Sequence, residues 1–119
     1  MPDATPFLIL EYVRPDGTCP FRDWLDSLER VAHARIQARI DRFEQGNLGD
    51  HKGVSEGLLE ARCNFGPGFR IYFGRHRDRL VILLIGGDKR SQLRDINTAK
   101  LLWHEYLRRS AEAPPTTEL

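Results

Sequence analysis

Apolar and polar residues along this chain alternate in two different periods. Residues 7–13, FLILEYV, form a short run of strand formers that the Pro and Gly of RPDGTCP cut off, which predicts a strand and then a loop. In PFRDWLDSL, Phe21, Trp24, Leu25 and Leu28 fall at i, i+3, i+4 and i+7, one face of a helix. Pro20 suits the first turn of that helix, and Asp23 suits the positive end of its dipole. A second helix is expected over 29–45. Leu28, Ala32, Ile36, Ile40 and Phe43 make its apolar stripe, and Arg35, Arg39 and Arg42 lie on a solvated face with Asp41 and Glu44. GNLGDHKGVSEG reads as a turn-rich connector.

Three strands follow over 58–63, 69–76 and 79–86. The links NFGPG and RHRD are short enough for antiparallel hairpins. The last strand is apolar at every position from Leu80 to Ile85, as a central strand covered on both faces would be. A final helix over 91–108 buries Ile96, Ala99, Trp103 and Tyr106. The polar, Pro-containing stretch 110–119 is expected to be a disordered tail, leaving residues 1–109 as one domain. This order predicts an α+β fold, with helices packed on a mostly antiparallel sheet.

Charge sharpens the picture. The formal net charge is +1, but residues 1–57 hold ten Asp/Glu and seven Lys/Arg, and residues 58–119 hold seven and eleven. A positive C-terminal half suits a polyanion. Most of the 18 cations are Arg, whose planar fork matches phosphate. Cys19 and Cys63 form neither a metal spacing nor a disulfide framework, so both are expected as small, reduced side chains. The first residues lack the basic segment and long apolar run of a signal peptide, and no run reaches membrane-spanning length. A cytoplasmic protein with no membrane partner is expected.

Closing the first hairpin through NFGPG sets Cys63 opposite Phe69, Arg62 opposite Arg70, Ala61 opposite Ile71 and Glu60 opposite Tyr72. Leu59, Ala61, Cys63, Phe69, Ile71 and Phe73 then share the core face. Glu60, Arg62, Arg70 and Tyr72 share the other, which is expected to be exposed. Two arginines directly opposite each other repel unless something negative lies between them. Glu60 and a bound phosphate both fit that role. In LLIGGDKRSQ, the buried strand ends at Gly86–Gly87 and a helix begins near Ser91, so Lys89 and Arg90 lie at a helix N-terminus. Cations there oppose the macrodipole. Either the free backbone N–H groups and these cations cradle an anion, or Asp88 or Ser91 caps the helix.

Two other signals lead nowhere. GVSEG matches G-x-S-x-G, but a nucleophile elbow needs a buried strand before it and a helix after it. Here a polar loop precedes and a strand follows. His33, His51, His76 and His104 share no ligand spacing with one another or with the cysteines, so no metal site is expected.

From Leu58 onward the chain resembles the RelE/HigB superfamily of type II toxin–antitoxin toxins, nearest to the branch of addiction-module killer proteins. The resemblance is carried by LLEARC, GPGFRIYF and LLIGGDKRSQLRDINTAKLLW, and extends to CPFRDWLDSL. It implies an endonuclease that cuts mRNA on the translating ribosome. A cognate antitoxin, a helix-turn-helix protein from an adjacent gene, would silence it, and DNA would be met only through that antitoxin. It also implies catalysis without metal or cofactor, by attack of the RNA 2′-OH on the adjacent phosphate. Residue by residue, Arg62, Arg70, Tyr72 and Lys89 take the catalytic positions, while Lys52, Arg90, Ser91 and Gln92 take phosphate or RNA. Arg62 and Arg70 would clamp the non-bridging oxygens. Tyr72 would serve as acid or base, orient the ribose or stack a base. The alternatives are a non-catalytic module of the same fold that binds RNA or the antitoxin, and a phage-derived interaction protein.

Overall fold

The computed structural model describes residues 6–112. The chain runs β1 (Leu8–Glu11), α1 (Pro20–Ser27), α2 (Arg30–Glu44), β2 (His51–Ser55), β3 (Leu58–Arg62), β4 (Arg70–His76), β5 (Leu80–Gly87), a 3-10 turn (Lys89–Ser91) and α3 (Gln92–Glu112). The strands form one sheet in the order β1-β5-β4-β3-β2. β1 runs parallel to β5, and the other pairs are antiparallel. The expected α+β architecture is present.

Local sequence explains most boundaries. Pro20 opens α1, where its missing N–H costs nothing. Glu29 caps α2, its carboxylate accepting from the backbone N–H of Ala32 at 2.8 Å and of Val31 at 3.2 Å. One expected boundary moves: α3 continues through Glu112, so residues 110–112 are helical, and the rest of the anticipated tail lies outside the described residues. One element was not anticipated: β2 arises in the stretch read as a connector.

The sheet separates two cores. α1 and α2 cover one face, where Phe21, Leu25, Ile36 and Phe43 pack on Ala61, Ile71, Phe73, Val81 and Leu83. α3 covers the other, where Leu102 and Trp103 pack on Leu58, Tyr72, Ile82 and Leu84. Alternate residues of β5 enter opposite cores, which is why its sequence is apolar throughout. Arg62 pairs with Arg70, Ala61 with Ile71 and Glu60 with Tyr72, the register read from the hairpin. The opposite face differs from expectation. It is not exposed along its length, because α3 lies over it and seals Glu60 and Tyr72 completely. The face opens only toward Arg62 and Arg70, both half-buried. Among the described residues, no helix is long and apolar enough to cross a membrane.

Candidate functional site

At that open end three strand termini meet. β3 finishes at Arg62, β4 starts at Arg70, and Arg70 pairs across to Gly87 at the end of β5, one residue before Asp88 and the Lys89 turn. Gly68, with a φ of 79°, turns the chain into β4 in a conformation that favours glycine. A Cβ placed on Gly68 would lie 3.4 Å from Arg70 Nη1 and 3.4 Å from the Cβ of Lys89. Two cations distant in sequence thus flank one glycine.

The cations are only partly neutralised. Arg62 Nη2 pairs with Asp50 Oδ1 at 3.2 Å, not with Glu60. Arg70 Nη1 donates to the Gly68 carbonyl at 2.9 Å and, more weakly, to the Phe69 carbonyl at 3.4 Å. Carbonyls hold its orientation without cancelling its charge. Among the described residues, four buried side-chain polar atoms lack a hydrogen-bond partner: the Nε of Arg39, Arg62 and Arg70, and Oε1 of Glu60. An unpaired buried donor costs on the order of 1–3 kcal/mol, so each calls for a physical reason. Arg62 and Arg70 are opposed and Glu60 is two residues from Arg62, while Arg39, on the α2 side of the sheet, reaches the Arg62 carbonyl with Nη1 at 2.7 Å.

Beneath the cations lies a sealed network. Tyr72 and Glu60 are both 0% exposed. The Tyr72 hydroxyl donates to Glu60 Oε2 at 2.9 Å, and Gln92 Nε2 donates to the same oxygen at 2.9 Å. Lys52 Nζ lies 3.8 Å from Glu60 Oε1, close enough to offset its charge but too far for a hydrogen bond. Burial, and then the bond to the Glu60 carboxylate, push the Tyr72 pKa far above the usual phenol value. The structure thus places Tyr72 away from the catalytic position expected of it: a side chain sealed under α3 can neither stack a base nor orient a ribose. It braces Glu60.

The turn before α3 is also corrected in part. Asp88 caps it, accepting from the Arg90 backbone N–H at 2.8 Å and pairing with Arg90 Nη2 at 3.1 Å. Those bonds, led by the Arg90 side chain, hold the Asp88 carboxyl below its ordinary pKa. Ser91 Oγ accepts from the Asp88 backbone N–H and donates to the buried Asp95 carboxylate. The turn therefore carries its own cap, through Asp88 and Ser91. Ser91 and Gln92 are bonded inward and Arg90 is tied to Asp88. Lys89 alone of this group is exposed without an ion pair among the described residues. The structure thus brings together Arg62, Arg70 and Lys89, with Lys52 at the side over Glu60.

Sequence reading missed the partner of Arg62, because Asp50 lies in a stretch taken for a connector. It also placed Arg39 on a solvated face, whereas Arg39 is 7% exposed. The spacing carried the signal: Ile36, Arg39, Ile40 and Phe43 fall at i, i+3, i+4 and i+7. Among the described residues, no group of three or more His, Cys, Asp or Glu could hold a metal ion.

No family model matches the chain. It is 47% identical over 89 residues to an uncharacterized protein of Haemophilus influenzae, a match spanning 74% of this chain and 90% of that protein. The chain belongs to the same family as that Haemophilus influenzae protein.

Proposed function

We propose that this protein is a cytoplasmic toxin of a type II toxin–antitoxin pair of the RelE/HigB kind. It would act as a metal-independent endoribonuclease on mRNA at the translating ribosome and be held inactive by its antitoxin. The observation that carries the reading is the pair of unpartnered, buried Nε–H donors on the facing residues Arg62 and Arg70, with Lys89 beside them. Like charges set directly opposite each other destabilise a sheet, and a phosphate between them reverses that cost. Attack of the 2′-OH on phosphorus concentrates negative charge on the non-bridging oxygens. Fixed cations stabilise that charge more than they stabilise the starting phosphodiester. Arg70, oriented by the Gly68 carbonyl, is the main clamp. Arg62 supports it, and Lys89 approaches from the turn. Proton transfer falls to the exposed titratable groups at this end, Lys52 and Lys89.

One observation favours a binding module instead. Glu60 and Tyr72 are both sealed from solvent, so neither reaches a phosphate held by the cations, and the exposed carboxylate of Asp50 is engaged by Arg62. The two readings separate by experiment. The protein is expressed with and without the neighbouring small gene, and mRNA 5′ ends are mapped. Growth arrest with new ends, relieved by the neighbouring gene and abolished by Arg70→Ala at equal soluble expression, is the expected result. A substrate with 2′-deoxyribose at the cut site should resist cleavage. Folded protein that causes neither arrest nor cutting would leave the binding module in place of the nuclease.

A further inference from the structure

Behind β3, on the α2 side of the sheet, a cleft of 420 Å³ is lined by Arg35, Arg39, Arg42, Asp50, Arg62 and Phe65, among others. Arg35, Arg39 and Arg42 fall at i, i+4 and i+7 on α2, one stripe of the helix. Like charges at these spacings weaken a helix, and here no carboxylate compensates. Among the described residues none of the three forms an ion pair, and Asp50, the one acid of the cleft, is engaged by Arg62.

Arg39 makes the case sharpest. Its guanidinium donates only to neutral acceptors: Nη1 to the Arg62 carbonyl at 2.7 Å and to Cys63 Sγ at 3.7 Å, and Nη2 to the Leu48 and Asp50 carbonyls at 3.0 and 2.9 Å. These bonds tie the α2–β2 connection to the end of β3. Nε is buried without a partner and faces Gly49, where a Cβ would come within 2.9 Å of it. A buried cation without a counter-charge is costly, and the exposed arginines on either side add to the same field.

We propose that this cleft is a second anion site, taking the phosphodiester backbone of single-stranded RNA that runs on from the cut site. The inference rests on the ribonuclease reading for its substrate class. Three features select RNA. Guanidinium forks match phosphate oxygens better than they match a single amide or hydroxyl. The Arg35 guanidinium lies over the Phe65 ring, 4.0 Å from its centroid, which presents a flat cationic plane on which an unpaired base can stack. The cleft also shares a residue with the candidate active site: Arg62 lines it, Arg70 is the cross-strand partner of Arg62, and Lys89 flanks Arg70.

The test is binding of a fluorescein-labelled, 2′-O-methyl single-stranded oligonucleotide, which has no free 2′-OH with which to cut itself. Anisotropy is followed across a salt series for the wild type, for Arg35→Gln/Arg42→Gln and for Arg70→Ala. Arg35 and Arg42 are exposed, so the double variant keeps the structural Arg39 and should melt as the wild type does. It is expected to bind more weakly, with the slope of log K against log salt reduced by about 1.4, since each phosphate contact on a single strand contributes about 0.7. Unchanged affinity and slope in the double variant, with Arg70→Ala weakened, would overturn this site and leave the ribonuclease reading standing. Wild type that binds no oligonucleotide at any salt would overturn this site, and the ribonuclease reading is then judged by the mRNA-end mapping alone. A double variant that loses binding to poly-L-glutamate yet keeps its oligonucleotide affinity would assign the cleft to an acidic protein segment, and the RNA site would be wrong.

Discussion

Tyr72 and Arg70 stand two positions apart on one strand, on the same face, yet only one of them can meet a substrate. The difference is the reach of α3. The apolar stripe of α3 packs over Tyr72 and leaves Arg70 half-buried, so one side chain is a buried strut and the other a half-open cation. Tyr72→Phe therefore separates structure from chemistry. It removes one donor from Glu60 Oε2 and leaves the Gln92 bond in place. The expected cost is about 1–2 kcal/mol of stability, read as a lower melting temperature. RNA cleavage should persist within a few-fold of wild type, measured below the melting point of both proteins. A fully folded Tyr72→Phe protein with cleavage reduced a hundredfold would return the hydroxyl to the reaction.

Elements were legible where the local pattern decided them, and obscure where tertiary contact did. The β3–β4 register followed from the period-two alternation of Leu59, Ala61, Cys63, Phe69, Ile71 and Phe73, because a one-residue slip would turn all of them out of the core. β2 was missed because HKGVS offers one β-branched residue and a glycine, and it becomes a strand only by pairing with β3. The apolar stripe of α3 was visible, but nothing in the pattern said which face of the sheet it covers. Hence Glu60 and Tyr72 were expected in solvent. The docking of α3 depends on Gly74 of β4, where a Cβ would lie 2.1 Å from Cζ3 of Trp103. Gly74→Ala must push the indole, and with it the helix, off the sheet. Overpacking of this kind costs roughly 1–3 kcal/mol or more. A urea midpoint in Gly74→Ala within error of the wild type would show that Trp103 can turn aside and that α3 does not need the glycine. Such a shift of α3 would also loosen Gln92, so oligonucleotide binding at the Arg62–Arg70 end should weaken together with stability.

At the scale of the whole molecule, the loop after β1 is joined to the far end of α3 by charge. Glu105 accepts from the Tyr12 hydroxyl at 2.7 Å and from Arg14 Nε and Nη2 at 3.1 and 3.0 Å. Arg109 completes the link, donating to the Tyr12 hydroxyl at 3.1 Å and to the Val13 carbonyl at 2.9 Å. The Arg14 bond first, and the Tyr12 bond second, hold the Glu105 carboxyl below its ordinary value of 4.5. A carboxyl depressed by folding contributes stability above its unfolded pKa and loses that contribution as pH falls through the folded value. The clasp is thus intact at neutral pH and released in acid. Glu105→Gln lacks the charge at every pH, so it should be less stable than wild type at pH 7. The gap between the two urea midpoints should close as pH drops below about 4.5. Asp88 is also depressed, but its partner Arg90 is not part of this clasp, so its titration cancels in the difference. A gap that stayed constant from pH 7 to pH 3 would mean that Glu105 holds the loop by shape and neutral hydrogen bonding. A gap that closes identifies an acid-sensitive clasp on the same helix that seals Tyr72 and Glu60. Acid should then raise the exposure of that network, seen as lower hydrogen-exchange protection factors at the β3–β4 amides, before the α1–α2 core gives way.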